Sequence, residues 1–353
     1  MRLERRQSPS PAAILIAPLS ALSFTFLVAS VLVWWAGAPV GQTYNLLFKG
    51  AFGSVFALSE TLTRAIPLTL TGLAAAIAFR ARLFNIGAEG QLYAGAMAAV
   101  AVGGMQGGDD LLMSPWALFV AMMIAAALTG ALLLLIPALL KSRLGVDEVV
   151  TTLLLNFIVL LLVSALLDGP MKDPLAMGWP QSAPIHPELE LDKVIAQTRA
   201  HSGLWWALGL SLMLWGLLKW TVWGFSIRAA GANPNASRFA GVSVTRTVVM
   251  VAMISGAVAG LAGAIEVAGR TGYVTLDMSP GYGYTGIVIA MLAGLHPLAV
   301  PLAALWVAGI LVGADSMSRA IGVPTYLADV MVAISLLTVL AASWLTQYRV
   351  RRH

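Results

Sequence analysis

Long apolar blocks are the feature that most restricts what this chain can fold into. Runs of predominantly apolar residues recur along the 353 residues, and about 17 to 25 such residues form an α-helix that crosses roughly 30 Å of hydrocarbon. Only 10% of the residues are charged, whereas a soluble domain carries about 25%. The run from Ile124 to Leu140 does not alternate in polarity, as a strand of a membrane barrel would. The sequence therefore predicts an all-α integral membrane protein.

The apolar blocks predict a polytopic bundle of about ten transmembrane helices. We expect the spans at residues 13–36, 63–79, 88–105, 114–140, 147–168, 203–222, 247–268, 283–297, 299–316 and 326–347. The first block, from Ala12 to Trp35, is too long for a signal peptide, whose apolar region has about 7 to 15 residues. An uncleaved first span is therefore predicted.

The basic residues predict the orientation of the bundle. With an internal start and an even number of spans, most of the 21 Lys and Arg residues lie on the cytoplasmic side, as the positive-inside rule requires. They include terminal clusters formed by Arg2, Arg5, Arg6, Arg349, Arg351 and Arg352. Both termini are predicted to face the cytoplasm. The net charge of +5 comes from basic residues beside the apolar blocks, as expected of a protein in a lipid bilayer. They do not form one basic patch, so nucleic acid is not an expected partner.

Cysteine and histidine usage excludes several kinds of chemistry. The chain has no cysteine, so it holds no disulfide, thiolate metal site or catalytic thiol. A membrane enzyme such as a lipid transferase would need acidic or histidine residues clustered at the interface. The histidines are instead dispersed, at His186, His201, His296 and His353. We predict no catalytic residue and no metal site.

The sequence predicts a single transmembrane domain over residues 1–353. Its only sizeable polar insertion, at 169–202, is rich in proline and predicts an external loop with one short surface helix. The loop has no room for a soluble catalytic domain.

A cytoplasmic segment at 224–246 carries strong helix-boundary signals. Asn233 suits an N-cap, Pro234 the first helical position and Gly241 the residue after the last turn. These signals predict a short helix across the membrane face. Either it docks into a groove on a cytoplasmic partner, or anionic headgroups hold it as an ordinary loop helix. The flanking basic residues are Arg228, Arg238 and Arg246.

A second segment, 80–96, predicts an interrupted helix. After two arginines end one span, Asn85 restarts the chain as a helix with Glu89 and Gln91 in its first turns. Glu89 either caps a helix, where the helix dipole favours a carboxylate, or faces a central cavity with Asn85 and Gln91 and bonds a polar solute. The stretches 84–96 and 280–294 are both apolar and interrupted by glycine, in roughly corresponding parts of the two halves of the chain.

Three further polar residues are candidates for substrate contact. Glu266 is costly inside a membrane, so it either binds solute or pairs with Arg270 at the outer interface. Asn156 falls inside a span, where an amide also serves as an interhelical hydrogen bonder. Tyr282 either stacks on a sugar or base or anchors the chain at the interface.

Three motifs carry a resemblance to a known family. They are Phe84-Asn-Ile-Gly-Ala-Glu-Gly-Gln91, Asp147-Glu-Val-Val-Thr-Thr-Leu-Leu-Leu-Asn156 and Arg228-Ala-Ala-Gly-Ala-Asn-Pro-Asn-Ala-Ser-Arg-Phe-Ala-Gly241. In this order they resemble the nucleoside and simple-sugar branch of ATP-binding-cassette (ABC) importer permeases. The larger family also includes ribose-type and branched-chain amino-acid permeases. The similarity extends from about residue 60 to residue 345.

The resemblance implies a bacterial inner-membrane importer with several partners. Two permease subunits, identical or different, would cooperate with two cytoplasmic ATPase domains and an external substrate-binding protein. The 224–246 loop would contact the ATPase through Arg228, Asn233, Pro234, Asn235, Arg238, Phe239 and Gly241. The chain has no Gly-x-x-x-x-Gly-Lys-Ser/Thr loop, so ATP and magnesium would bind to the partner ATPase and this chain would hold no cofactor.

The predicted function is import of a neutral polar solute, with a nucleoside or purine-like compound first and a monosaccharide second. Its substrate candidates are Asn85, Glu89, Gln91, Asn156, Glu266 and Tyr282. The alternative is an ion-coupled secondary transporter, which needs a buried carboxylate that titrates or binds the ion. Glu89 and Glu266 are the candidates for that carboxylate.

Overall fold

The computed structural model describes residues 2–5, 11–104, 113–322 and 326–351. The helices are α1 (Pro11–Trp35), α2 (Val40–Phe52), α3 (Val55–Arg80), α4 (Ala88–Gly103), α5 (Pro115–Leu139), α6 (Glu148–Asp168), α7 (Gly203–Trp220), α8 (Val222–Ala232), α9 (Pro234–Phe239), α10 (Val244–Glu266), α11 (Tyr282–Leu292), α12 (Val300–Ile321) and α13 (Tyr326–Gln347). Single π-helical turns, Leu140–Leu144 and Val267–Thr271, extend α5 and α10. The predicted span end at 105, Arg6, Arg352 and His353 lie outside the described residues.

Two short strands join the ends of the chain. β1 (Arg2–Arg5) pairs antiparallel with β2 (Tyr348–Arg351), with Arg2 opposite Arg351. The two ends of the described chain therefore lie side by side. This position agrees with the predicted even number of spans, which puts both termini on one side of the membrane.

The predicted spans coincide with helices of the structure, and the fold is that of an all-α polytopic membrane protein. Among the described residues, five helices are long and apolar enough to cross a membrane, or up to seven if each of two bent pairs is one span. The bent pairs are Ser23–Trp35 with Val40–Phe52, at 117°, and Gly203–Trp220 with Val222–Ala232, at 77°. α2 and α8 were not predicted, because each follows a short break after a longer apolar helix.

The predicted span 283–297 is shorter in the structure. α11 ends at Leu292, and the next residues include Gly294 and Leu295 with φ values of +58° and +60°. Left-handed backbone cannot continue an α-helix. The apolar character of this stretch therefore extends beyond its helix.

The chain forms two compact units, Met1–Thr61 with Trp306–His353, and Leu62–Leu305. In the first unit α1 packs along α13, and the hydroxyls of Thr25 and Thr338 lie 2.9 Å apart. The second unit contains every candidate substrate residue. The organisation as one permease domain, with an external loop and a cytoplasmic loop, stays a prediction.

The core of the second unit is built from α4, α5 and α10, which pack closely through glycine. A Cβ atom on Gly95 of α4 would overlap the backbone of Gly260 in α10, and one on Gly256 would overlap the backbone of Gly130 in α5. Small residues let helix backbones approach where lipid supplies no hydrophobic drive for association. These contacts hold the backbones of the three helices close together beside the polar residues of the α3–α4 break.

The 169–202 loop is tied to the segment that follows α10. The backbone N–H of Ile185 donates to the carbonyl of Gly272, and that of Leu191 to the carbonyl of Ala268, both at 2.8 Å. The one short helix predicted in this loop is the 3₁₀ turn Pro187–Leu189.

Candidate functional site

The break between α3 and α4 is held by a pair of amides. Asn85 and Gln91 exchange two hydrogen bonds of 2.9 Å. The Nδ2 of Asn85 also donates to the hydroxyl of Ser255 in α10 at 3.1 Å, and its Oδ1 accepts from the N–H of Gly87 at 3.0 Å. Asn85 is completely buried, and both polar atoms of its side chain are hydrogen-bonded. It holds the irregular backbone of the break against α10.

Asn156 of α6 holds the other side of this break. Its Oδ1 accepts from the N–H of Gly90, and its Nδ2 donates to the carbonyl of Ile86, both at 2.8 Å. Nδ2 also lies 3.1 Å from the hydroxyl of Tyr284. The cavity beside Gln91 and Asn156 has a volume of about 10 Å³. That volume is at the lower limit for one water molecule, so no nucleoside or sugar fits there in this conformation.

Glu89 connects the two interrupted helices. Its Oε2 accepts from the N–H of Gly283 at 2.5 Å, in the first turn of α11, and the side chain is buried. A Cβ atom on Gly283 would overlap the backbone of Glu89. The glycine-interrupted stretches 84–96 and 280–294 therefore meet at the starts of their helices. The Glu89 side chain therefore caps α11 rather than its own helix. The dipole of α11 favours a negative charge at this N-terminus.

Glu266 and Tyr282 meet through Arg270. Glu266 is buried and forms an ion pair with Arg270, four residues later. Arg270 Nη1 donates to the hydroxyl of Tyr282 at 3.2 Å, and Arg64 also bonds that hydroxyl. The Glu266–Arg270 pairing is the structural alternative raised by the sequence. Ligation of solute by any of the candidate residues stays a prediction.

His201 is a buried residue that sequence reasoning did not select. It lies in the 169–202 loop, outside the spans, and is completely buried. A Cβ atom on Gly269 would overlap its ring, and its Nδ1 accepts from the N–H of Gly203 at 3.3 Å. Its Nε2 has no hydrogen-bond partner within the described chain. Burial, aided by the positive charge of Arg270, lowers the pKa of His201 to about 4.

Acidification is expected to destabilise the protein through His201. An unfolded histidine has a pKa of about 6.5, so between that value and about 4 the unfolded chain binds a proton that the folded chain excludes. Stability should therefore fall as the pH drops through this window, by at most about 1.4 kcal/mol per pH unit. Thermal unfolding in detergent at pH 7.5, 6 and 5 measures the slope. His201→Gln should flatten it, and an equal slope in both proteins would contradict the assignment.

The predicted short cytoplasmic helix is present as α9. The Oδ1 of Asn233 accepts from the N–H groups of Asn235 and Ala236 at 3.0 and 3.1 Å, which makes it the N-cap. Pro234 occupies the first helical position. Gly241 follows the helix with φ at +80°. The local signals in the sequence thus specified both ends of this helix.

The exposed face of α9 ends in an aromatic side chain. Phe239 is 95% exposed. Arg238 and Asn235 are also exposed and lie at hydrogen-bond distance from each other, 3.5 Å. A large exposed aromatic with a neighbouring arginine is the composition of a binding anchor. Arg228 lies apart from this group, on α8.

α8 connects α9 to the α3–α4 break. A Cβ atom on Gly231 of α8 would overlap the carbonyl of Arg80 at the end of α3. Arg82 Nη2 donates to the carbonyl of Ala232 at 3.1 Å. The end of α8 is therefore in direct contact with the chain that precedes Asn85.

Residues 57–340 match the family described as branched-chain amino acid transport system / permease component. The chain is 35% identical to the guanosine ABC transporter permease protein NupP of Bacillus subtilis (strain 168), covering 92% of each chain. It is 35% identical to the glucose ABC transporter permease protein TsgB13 of Haloferax volcanii, covering 88% of this chain and 82% of that protein. It is 30% identical to the nucleoside ABC transporter permease protein NupB of Lactococcus lactis subsp. cremoris, covering 90% and 88%.

Proposed function

Because this chain belongs to the branched-chain amino acid transport system / permease component family, we propose that it imports nucleosides, with a simple sugar as the second candidate. The chain is a multi-pass permease subunit of an ABC transporter in the bacterial inner membrane. The similarity to the guanosine permease over 92% of both chains is the observation that favours a nucleoside. A simple sugar is the second candidate because the chain is equally identical to the glucose permease, over slightly less of its length.

The permease works with an ATPase and a substrate-binding protein. We propose that two permease subunits, identical or different, form the pathway, and that ATP and magnesium bind to the ATPase. The exposed Phe239 and Arg238 on α9 support α9 as the contact for the ATPase. Asn233, Pro234, Asn235 and Gly241 shape this helix, whereas Arg228 is proposed to act from α8.

The proposed coupling runs from α9 to the helix breaks. Movement of the ATPase would shift α9 and α8, and the close contact between Gly231 and Arg80 would pass that shift to α3. The α3–α4 break follows within a few residues, and Glu89 links it to α11. Interrupted helices at a substrate pathway are a recurrent arrangement in transporters. ATP-driven motion would thereby bias the bundle between outward-open and inward-open states.

Substrate contact would require the interrupted helices to separate. In this conformation the side chains of Asn85 and Gln91 bond to each other, and that of Asn156 bonds to the backbone of the α3–α4 break. Parting of α4 and α11 would break the bond between Glu89 and Gly283 and free polar groups for a solute. We propose that Asn85, Glu89, Gln91, Asn156, Glu266 and Tyr282 contribute to solute binding in such an open state.

Uptake by the assembled transporter tests this proposal. The permease is reconstituted into vesicles with its ATPase and binding protein, and labelled guanosine and glucose are supplied with and without ATP. We expect ATP-dependent guanosine uptake that unlabelled nucleosides inhibit and glucose does not. ATP-dependent uptake of glucose alone would contradict the nucleoside assignment. Guanosine uptake that needs no ATP and stops with a protonophore would support the ion-coupled alternative instead.

A further inference from the structure

A basic cavity lies where the ends of α3 and α7 meet α8 and the loop at 293–299. Its volume is about 270 Å³, and every residue that lines it belongs to the Leu62–Leu305 unit. Its lining includes the side chains of Arg80, Trp215, Lys219, Arg228 and His296. The orientation predicted from the sequence puts these segment ends on the cytoplasmic side. We call this the basic cavity.

The basic cavity contains cations without an acidic partner. Its described lining includes no Asp or Glu. Arg80 donates from Nε to the carbonyl of Leu295 at 2.8 Å, a bond that does not use its terminal nitrogens. Arg228 is close enough to repel Arg80 electrostatically. The Lys219 ammonium lies 4.8 Å from the ring centre of Trp215, which holds it beside the cavity without neutralising it.

This arrangement is complementary to a phosphate group. Arginine presents several donors in a planar fork that matches phosphate oxygens, and lysine adds a compact charge. Neighbouring like charges repel each other, and an anion bound between them offsets that repulsion. Basic pockets between transmembrane helices on the cytoplasmic side are a setting for anionic lipid headgroups. The cavity is slightly below the range of about 300–1,000 Å³ that encloses drug-sized ligands, a size suited to a headgroup or a small phosphate.

We propose that the basic cavity binds a phosphate group, presented by an anionic phospholipid of the inner leaflet or by a soluble phosphorylated molecule. The ligand would bridge Arg80 at the end of α3 and Arg228 on α8. It would thereby stabilise the contact through which α8 reaches the α3–α4 break. Binding at this position makes the stability of the permease dependent on the anion.

Thermal unfolding of the purified full-length permease in neutral detergent tests the proposal. The titrants are dioctanoyl phosphatidylglycerol, dioctanoyl phosphatidylcholine and inorganic phosphate. We expect a saturable rise in Tm with phosphatidylglycerol and none with phosphatidylcholine. A rise with phosphatidylglycerol alone identifies the lipid as the source, whereas a rise with inorganic phosphate identifies a soluble source. No rise with either phosphatidylglycerol or phosphate would overturn the proposal.

Charge removals inside and outside the basic cavity locate the binding. The double variant Lys219→Gln, Arg228→Gln should weaken the apparent affinity for the active titrant at least about tenfold, as expected for the loss of hydrogen bonds to a charged group. Arg246→Gln removes one charge from an exposed position at the start of α10, outside the cavity, and should leave the affinity unchanged. If the double variant does not fold, Lys219→Gln alone is used, because this side chain is exposed. Wild-type affinity in the folded variant, or equal weakening in Arg246→Gln, would overturn the proposal.

Discussion

Replacing Gly283 by alanine is expected to lower solute uptake at least about tenfold and to destabilise the permease by about 1–3 kcal/mol, the usual cost of overpacking. The added Cβ would overlap backbone atoms of Glu89, and backbone cannot move aside as the end of a flexible side chain can. The starts of α4 and α11 would have to separate, which breaks the bond between Gly283 N–H and the Glu89 carboxylate. ATP-dependent uptake and thermal unfolding in detergent measure the two effects.

Gly209→Ala is the matched control for this substitution. Gly209 lies inside α7, and apart from its own stretch of helix no heavy atom of the described residues lies within 4 Å of the Cβ that alanine would add. Alanine in a helix interior is favoured over glycine by about 0.5–1 kcal/mol, so this variant should be as stable as the parent or slightly more stable. Normal uptake and stability in Gly283→Ala would show that α4 and α11 do not meet at this point in the working transporter.

Replacing Phe239 by alanine is expected to weaken ATPase binding by about 30-fold, the equivalent of a 2 kcal/mol hot spot. The side chain is 95% exposed, so its loss removes no packing inside the permease. Membrane insertion and Tm should therefore be unchanged while ATP-dependent uptake falls. Binding of the purified ATPase to immobilised permease measures the affinity, and vesicle uptake measures the coupling.

Phe157→Ala controls for the loss of an exposed aromatic ring. Phe157 is 55% exposed and lies within α6, a candidate membrane span, where no cytoplasmic protein reaches it. ATPase affinity should be unaffected in this variant. Unchanged affinity in Phe239→Ala as well would remove α9 from the proposed docking surface.

Much of the architecture could be predicted because its signals are local. Apolar blocks of membrane-spanning length predicted the helices, and the distribution of basic residues predicted an orientation that agrees with the pairing of β1 and β2. The ends of α9 followed from Asn233, Pro234 and Gly241, because caps and turns involve residues only a few positions apart. The shortened α11 was missed, since apolar composition continues past the left-handed residues that end the helix.

The contacts of the candidate site could not be predicted from sequence pattern. Glu89 was a credible cap for its own helix, yet its partner is Gly283, 194 positions away. Asn156 was recognised as an interhelical hydrogen bonder in general terms, but nothing near it in sequence pointed to the backbone of Gly90 and Ile86. No local pattern predicted the burial of His201, because that burial depends on Gly269 in another segment.

The sequence by itself determined that lipid surrounds this chain, which family it resembles and where a short cytoplasmic helix begins and ends. Hydropathy and helix capping depend on residues close along the chain, so the amino-acid sequence is sufficient to predict them. Only the tertiary structure decided that two interrupted helices meet at Glu89 and that Arg80, Lys219 and Arg228 surround one cavity. Those arrangements depend on how close glycine-lined backbones approach, which is a property of packing between distant segments.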